Sequence, residues 1–294
     1  MPVRILLDIP ITFAVGDGTT HAPMIDTRVG EVATKLILDT GSTDHVLTIE
    51  LAREAGLDAE PGEAGTDHAG DEVPSWTLGT VAARIDRMPI TLRNTVAITG
   101  PAKFAGWGVG GFLSPQHIHP SALAVLDLAD DRFLLVDDDP DEVRGWVADR
   151  GSDLVALTCV RDPAELTPVI EAAIEPFPAV PVLFNTGGRG TEFATAAVPG
   201  LRGVEPERLG HGVGGSVVPG SEVTDRTLLV GDARFALPRL LIREHVGSML
   251  GLIGMDVLRG TVLVLGADPA AGVTWLVPPT SLPDREPPRT TARP

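Results

Sequence analysis

The chain has 294 residues, of which 40 are Asp or Glu and 23 are Lys or Arg, so its formal net charge is −17. A surface that binds nucleic acid must supply Lys and Arg to displace the counterions of the phosphates, so this composition argues against a nucleic acid partner. The 33 glycines, the 26 prolines and the many short runs of Val, Ile, Leu and Thr favour an all-β protein, long enough for two lobes that each have a core.

The first residues and the cysteine content indicate the compartment. Asp8 and Pro10 interrupt the stretch in which a secretory signal needs a long apolar segment. No stretch approaches the roughly 20 apolar residues that a membrane span requires. The single cysteine, Cys159, cannot form an intramolecular disulfide and suits a reducing compartment. We therefore expect a cytoplasmic protein that has no membrane partner.

The first half of the chain is predicted to consist mainly of strands. Residues 3–15 and 23–32 alternate between apolar and polar side chains enough for strands, and the apolar run Leu36-Ile37-Leu38 predicts a buried strand. Residues 49–56 end in glycine and indicate a short helix. Residues 75–99 predict two strands joined by a turn.

A polar connection separates this half from the next. Its start is very acidic, and residues 142–148 predict a helix that Asp141 could cap. A new strand is expected near residues 153–157. The last residues are rich in Pro, Arg and Thr, which predicts a disordered tail. The predicted units are a first lobe, a connection, a second lobe and the tail, at residues 1–137, 138–152, 153–282 and 283–294.

Two short segments of the chain are related to each other. Asp39-Thr40-Gly41-Ser42 follows an apolar run, and Asn185-Thr186-Gly187-Gly188 follows another apolar run about half a chain later. Matching segments also precede and follow each copy at similar spacing: residues 22–26 and 167–171 before, and residues 108–113 and 252–258 after. The chain is therefore interpreted as an internal duplication.

The motif apolar-apolar-Asp-Thr-Gly resembles the signature of the pepsin-like and retropepsin-like aspartic peptidases. Two copies in one chain resemble the bilobal form of that family, which implies an all-β fold with a cleft between the lobes. The resemblance implies that Asp39 and Asn185 form the catalytic pair on the floor of this cleft. It further implies that the threonine hydroxyls brace the opposite loop and that Ser42 donates a hydrogen bond to Asp39. The expected supporting residues are Thr40, Gly41, Ser42, Thr186 and Gly187.

The resemblance also implies a mobile hairpin, the flap, on each lobe. We expect the first flap near residues 67–71, reaching to Trp76, and the second in the glycine-rich residues 210–215. His68 and His211 would then lie in opposite flaps. His45 comes just after the first loop and is a further candidate for the cleft. The chain has no tyrosine, although pepsin-like enzymes usually carry one on the first flap.

Asn185 departs from the family pattern in a way that affects the chemistry. Paired carboxylates share one proton, so that the ionised member activates water while the protonated member polarises the carbonyl. An asparagine can donate a hydrogen bond to the carbonyl oxygen, but it cannot release a proton or accept one later. Loss of a positioned acid or base typically costs about 10²–10⁴ in rate. Gly188, at the position of Ser42, offers no side-chain donor either.

Three functions remain open at this point. The first is a peptidase in which Asp39 activates water and Asn185 impairs the pair. The second is a repurposed acid/base enzyme in which Asp39 and a flap histidine dehydrate, cyclise or isomerise a small molecule, as in a biosynthetic pathway. The third is a peptide-binding pseudoenzyme. The expected partner is a peptide or a small molecule in the cleft. None of the three functions requires a metal or another cofactor.

Overall fold

A computed structural model describes residues 3–16, 19–67, 70–137, 139–149, 155–157, 167–205, 210–211, 217–244, 249–266 and 274–279. Strands dominate these residues, and the expectation of an all-β protein is confirmed. In this part of the chain no helix has the length and apolar character needed to cross a membrane. Cys159 and the predicted tail at 283–294 lie outside the described residues.

The first half of the chain supplies strands β1 to β13. Their bounds are β1 (Ile5–Pro10), β2 (Thr12–Gly16), β3 (Thr19–Val29), β4 (Val32–Leu38), β5 (His45–Thr48), β6 (Glu60–Pro61), β7 (Gly65–Thr66), β8 (Glu72–Val73), β9 (Ser75–Ile85), β10 (Met88–Ile98), β11 (Val109–Leu113), β12 (Leu123–Asp127) and β13 (Arg132–Val136). The helices are α1 (Ile49–Glu54) and α2 (Ala102–Trp107), and one turn of 3₁₀ helix covers Pro115–His117. The sequence pattern indicated α1 but not α2.

The second half supplies the remaining strands and two further helices. The strands are β14 (Val155–Ala156), β15 (Val169–Ile174), β16 (Val180–Phe184), β17 (Glu192–Ala194), β18 (Gly210–His211), β19 (Val217–Val218), β20 (Ser221–Val230), β21 (Ala233–Arg243), β22 (Gly251–Ile253), β23 (Val262–Leu265) and β24 (Thr274–Val277). The helices are α3 (Pro140–Ala148) and α4 (Met255–Leu258).

The two lobes have the same strand order. In the second lobe, strands β15-β16-β22-β17-β21-β20 form a closed barrel. In the first lobe, β3-β4-β11-β5-β10-β9 are neighbours in an eight-stranded sheet, and β3 also pairs with β9. The directions agree as well, because β11 is parallel to β4 and antiparallel to β5, as β22 is to β16 and β17. The duplication seen in the sequence is therefore a duplication of the whole barrel.

A third sheet joins the two halves of the chain. Its six strands run in the order β1-β13-β12-β23-β24-β14, so that β12 from the first half pairs with β23 from the second. Helix α3 packs on one face of this sheet through Val143 and Val147, both fully buried. The prediction that Asp141 is the N-cap of this helix was wrong by two residues. Asp139, not Asp141, is the N-cap, because its carboxylate accepts the Asp141 amide and Pro140 fits the first helical turn.

The strand before each motif loop shows how the core fixes the position of the loop. In β4, Leu36 and Leu38 point into the main core, whereas Ile37 points to the opposite face. In β16, Val182 and Phe184 belong to the main core in the same way, and Leu183 lies on the opposite face. Because the core residues are fully buried, each strand is held rigidly where its loop begins.

Candidate active site

Both motif loops begin at equivalent points of their barrels. Asp39 follows β4, and its amide donates to the Leu113 carbonyl oxygen at 2.8 Å, which continues the parallel pairing with β11. Asn185 follows β16, and its amide donates to the Ile253 carbonyl oxygen at 3.0 Å, which continues the pairing with β22. The two segments that the sequence identified downstream of each motif are therefore the strands behind the loops.

Thr40 and Thr186 join the two loops through four hydrogen bonds. Each hydroxyl donates to a carbonyl oxygen of the opposite strand at 2.6 Å: Thr40 to Phe184 and Thr186 to Leu38. Each hydroxyl oxygen also accepts the amide of the other threonine at 3.1 Å. Both threonines are completely buried. The loops are thus held in one mutual position, with Asp39 and Asn185 one residue before the brace.

Asp39 and Asn185 each lie against a glycine of the opposite loop. A Cβ added at Gly187 would overlap with the Asp39 carboxylate, and one added at Gly41 would lie 3.0 Å from Cγ of Asn185. Both side chains are half-buried. Glycine at these two positions is therefore what allows the Asp39 carboxylate and the Asn185 amide each to lie against the opposite loop.

The amide of Asn185 has a defined orientation. The Gly188 amide donates to Asn185 Oδ1 at 2.9 Å, just as the Gly41 amide donates to Asp39 Oδ1 at 2.9 Å. The Gly188 amide also reaches the backbone carbonyl oxygen of Asn185, at 3.2 Å. Because an NH₂ group in this position would place two donors against each other, the oxygen of the Asn185 amide is assigned to the side of its own loop. Its NH₂ group is the end that can donate to another molecule. The site accordingly offers one carboxylate acceptor and one amide donor.

Ser42 does not take the role that the resemblance implied. Its hydroxyl donates to the Asp44 carbonyl oxygen at 2.7 Å, within its own loop. A hydroxyl has a single hydrogen to donate, so the expected donation to Asp39 is wrong. Ser42 instead stabilises the turn that leads from the loop into β5.

His45 was expected in the cleft, and this expectation is also wrong. The residue opens β5 and is only 1% exposed, because the alternation of the strand turns its side chain inward. Its Nδ1 accepts the Ser114 amide at 3.3 Å. Burial, and secondarily the charge of His117, lower the pKa of His45 from 6.5 to about 4. A neutral, buried imidazole behind the loop cannot act as an acid or base on a substrate.

The second lobe carries Thr191 at the position of His45, six residues after the motif residue in each case. Thr191 Oγ1 accepts the Gly254 amide at 3.2 Å, as His45 accepts that of Ser114. Asp256 in turn accepts the amide and the hydroxyl of Thr191, at 2.9 and 2.6 Å. Burial raises the pKa of Asp256, against the lowering effect of these hydrogen bonds. These hydrogen bonds of Thr191 were not predicted from the sequence, although Thr191 follows Asn185 at the same spacing at which His45 follows Asp39.

Two short hairpins lie where the flaps were expected. Strands β7 and β8 form the first, closed by a turn in which the Asp67 side chain accepts the Asp71 amide at 3.1 Å. His68 lies outside the described residues. Strands β18 and β19 form the second, and His211 belongs to β18. The side chain of His211 lies outside what the structure describes.

Trp76 does not belong to the first flap. It lies in β9, and its ring packs against the cluster of Ile49, Ala52 and Ala97 that holds α1 to the sheet. The expectation that Trp76 lines the cleft is therefore wrong. The reason is that β9 begins immediately before it, at Ser75, so the hairpin ends sooner than the sequence indicated.

An apolar cluster lies on the face of β4 that carries Ile37, two residues before Asp39. We call it the first-lobe cluster. Its aromatic members are in contact, with Phe104 stacked on Trp107 at 6.4 Å and in edge contact with Phe112 at 5.2 Å between ring centroids. Val73, at the base of the first hairpin, packs against the same group. Its members are Ala22, Met24, Ile37, Val46, Val73, Ile98, Phe104, Trp107, Val109 and Phe112.

The chain was compared with known proteins and families. A family model described as aspartyl protease matches residues 25–108. The matched segment runs from within β3 to the residue before β11, and it contains the first motif loop. No match to the chain was found among curated proteins. Among the described residues, no three His, Cys, Asp or Glu side chains are grouped so that they could hold a metal ion.

Proposed function

We propose, from the premise that this chain belongs to the aspartic peptidase family, that Asp39 activates a water molecule for slow hydrolysis of peptide bonds, with Asn185 as its partner. The observation that carries this proposal is the reciprocal brace of Thr40 and Thr186, which fixes the two loops that carry the Asp39 carboxylate and the Asn185 amide against each other. Preorganised groups of this kind stabilise a transition state without the cost of reorganisation.

A single carboxylate can complete the reaction, although inefficiently. Asp39 takes a proton from water as the water oxygen bonds to the peptide carbonyl carbon. The NH₂ group of Asn185 donates to the carbonyl oxygen, which gains negative charge, and donors in such positions are typically worth about 10²–10³ in rate. The protonated Asp39 then returns its proton to the leaving nitrogen as the carbon–nitrogen bond breaks. No second acid is available, so we expect a rate about 10²–10⁴ below that of a two-carboxylate site.

A peptide is the substrate class that the surroundings of the site favour. The first-lobe cluster offers an apolar surface next to Asp39 for a side chain of the substrate. The hairpins β7–β8 and β18–β19 offer backbone edges, which can pair with an extended chain.

A peptide-binding pseudoenzyme is the second candidate, and the observation that favours it is Asn185 itself. Such a protein would use the same cleft and the same donor without turnover. The hypothesis of a repurposed acid/base enzyme loses one candidate residue, because His45 is buried. Its remaining candidates, His68 and His211, stay predictions.

The test is cleavage of a mixed peptide library, followed by mass spectrometry, with peptide binding measured in parallel. We expect slow cleavage by the native chain and none by Asp39→Ala. A matched control is Asp44→Asn, which removes another carboxylate of the same loop and should leave cleavage unchanged. Binding without cleavage would support the pseudoenzyme instead, and absence of both would overturn the proposal.

A further inference from the structure

The two faces beside the catalytic loops can be compared residue by residue. In a strand, side chains two positions apart share a face, so Asp39 continues the face of Ile37 and Asn185 continues the face of Leu183. Asp39 and Asn185 also directly precede the two threonines that the brace joins. The neighbours of Ile37 and Leu183 therefore form the corresponding walls of the site in the two lobes.

Strand register identifies the first pair of equivalent wall residues. Phe112 of β11 is paired with Val46 of β5, and Leu252 of β22 is paired with Glu192 of β17. Phe112 and Leu252 are themselves equivalent, since each neighbours the strand that precedes its loop. Glu192 thus takes the place of Val46.

A second pair follows from the next strand. Ile98 of β10 is paired with the residue two positions after Val46, and Arg243 of β21 is paired with the residue two positions after Glu192. Arg243 thus takes the place of Ile98. Two apolar contacts of the first lobe are replaced by two opposite charges in the second.

The charges form a buried ion pair. Arg243 donates from Nε to Glu192 Oε2 and from its NH₂ group to Glu192 Oε1, the latter at 2.7 Å. Glu192 is 5% exposed and Arg243 is 3% exposed, a depth comparable with the 8% of Phe112 and of Ile98 in the first lobe. The other guanidinium nitrogen reaches the Pro219 carbonyl oxygen at 3.4 Å.

The apolar surroundings of this pair are correspondingly small. The cluster on this face of the second lobe contains Ala194 and Leu252, with Leu183 packed against it. Pro219 directly follows β19, so the ion pair lies beneath the base of the second hairpin, as the first-lobe cluster lies beneath Val73. The two walls therefore have the same architecture and opposite chemistry.

We infer that Glu192 and Arg243 determine specificity, so that the second lobe accepts a polar, hydrogen-bonding side chain where the first lobe accepts an apolar one. This inference rests on the proposed function and names its substrate class. An apolar side chain placed over the ion pair would cover the small part of it that solvent still reaches and would return no hydrogen bond, which is unfavourable. A polar side chain can donate to or accept from the pair. The preferred peptide is apolar on one side of the cleaved bond and polar on the other.

The test exchanges the chemistry of one wall. Glu192→Val combined with Arg243→Ile installs the residue types of the first lobe, and replacement of both partners of a buried ion pair by apolar residues is tolerated better than loss of one. A matched control is Glu175→Val combined with Arg234→Ile. That pair is also bidentate, at 2.7 and 2.8 Å, and belongs to the same lobe, but it is exposed.

Both double variants are made in the Asn185→Asp protein, which serves as the parent. We expect this parent to cleave peptides faster than the native chain. The substrates are peptides with Leu or Asn, which are similar in shape, at each position next to the cleaved bond. We expect the parent to prefer Leu at one position and Asn at the other, by about 10- to 100-fold. The double substitution at residues 192 and 243 should turn the preference for Asn into one for Leu, and the control should not.

Two results would overturn the inference: a preference for Leu at both positions in the parent, or an unchanged preference after the double substitution. If no form cuts any peptide, the proposed function fails, and calorimetric binding of the Leu and Asn peptides decides the inference separately. A reversed order of affinity in the double variant supports it, whereas the same order, or no binding, contradicts it.

Discussion

Thr40 and Thr186 exchange hydrogen bonds across the junction of the lobes, each amide donating to the other hydroxyl oxygen at 3.1 Å. The same hydroxyls donate to carbonyl oxygens of the opposite strands at 2.6 Å. Every one of these groups is buried, so the brace ties the position of Asp39 and Asn185 to the stability of the whole protein.

Thr40→Val or Thr186→Val should therefore destabilise the fold. Valine keeps the shape but leaves a buried carbonyl and a buried amide without a partner, at about 1–3 kcal/mol each. We expect a loss of about 2–6 kcal/mol in the free energy of unfolding, measured by denaturant titration. The double variant should lose less than the sum, because both changes break one network. Thr43→Val, in the exposed part of the same loop, is the control and should change stability by no more than about 0.5 kcal/mol. Equal effects at all three threonines would contradict the brace.

Gly187→Ala and Gly41→Ala should have unequal effects. The new Cβ at Gly187 would overlap with the Asp39 carboxylate, whereas at Gly41 the nearest atom, Cγ of Asn185, is 3.0 Å away. Displacement of a reacting group by about 1 Å can cost about 10² in rate. We expect this loss in kcat/KM for Gly187→Ala and a smaller one for Gly41→Ala. Gly145→Ala in α3, where a Cβ meets no atom within 4 Å, should leave the rate unchanged. The opposite order of the first two variants would count against the arrangement.

His45 should make the protein less stable in acid. Its pKa falls from 6.5 to about 4 on folding, so between these values the unfolded state binds more protons than the folded state. The stability that the neutral His45 side chain gives the folded state is fully present above pH 6.5 and is lost as the pH falls towards 4. The free energy of unfolding should fall by about 3 kcal/mol over this range. His45→Thr, the residue type found at the equivalent position in the second lobe, should lose this dependence. The measurement is the free energy of unfolding of both proteins between pH 7.5 and pH 4. Parallel curves would show that His45 is not buried in its neutral form.

The ion pair should respond differently to single and paired substitution. Arg243→Ile or Glu192→Val alone leaves one buried charge without its partner, and we expect a loss of about 3–5 kcal/mol in the free energy of unfolding. The two substitutions together should be neutral or stabilising. Thermal and denaturant unfolding of the three variants tests this, and additive losses would mean that the pair is not buried in solution.

Local pattern predicted the parts of the fold that depend on short stretches of chain. The apolar run before Asp39, and its repeat before Asn185, indicate buried strands followed by tight loops, and the duplication implies that the loops face each other. The all-β class follows from the same patterns.

Contacts between distant residues could not be predicted in this way. The pairing of β12 with β23 joins residues more than a hundred positions apart, and no local periodicity encodes it. Glu192 and Arg243 are separated by 51 residues and look like ordinary surface charges in the sequence. His45 was expected in the cleft because it comes just after the first loop, whereas β5 begins at this residue and buries it.

The most direct test of the account is the rate of peptide cleavage by Asn185→Asp compared with the native chain, in single-turnover conditions from about pH 3 to 8. The substitution changes an amide into a carboxylate at the same position, so it restores the missing acid and base without altering the brace. We predict an increase of about 10²–10⁴ that also requires Asp39. A rate equal to or below that of the native chain would contradict the claim that Asp39 and Asn185 act together on one peptide bond.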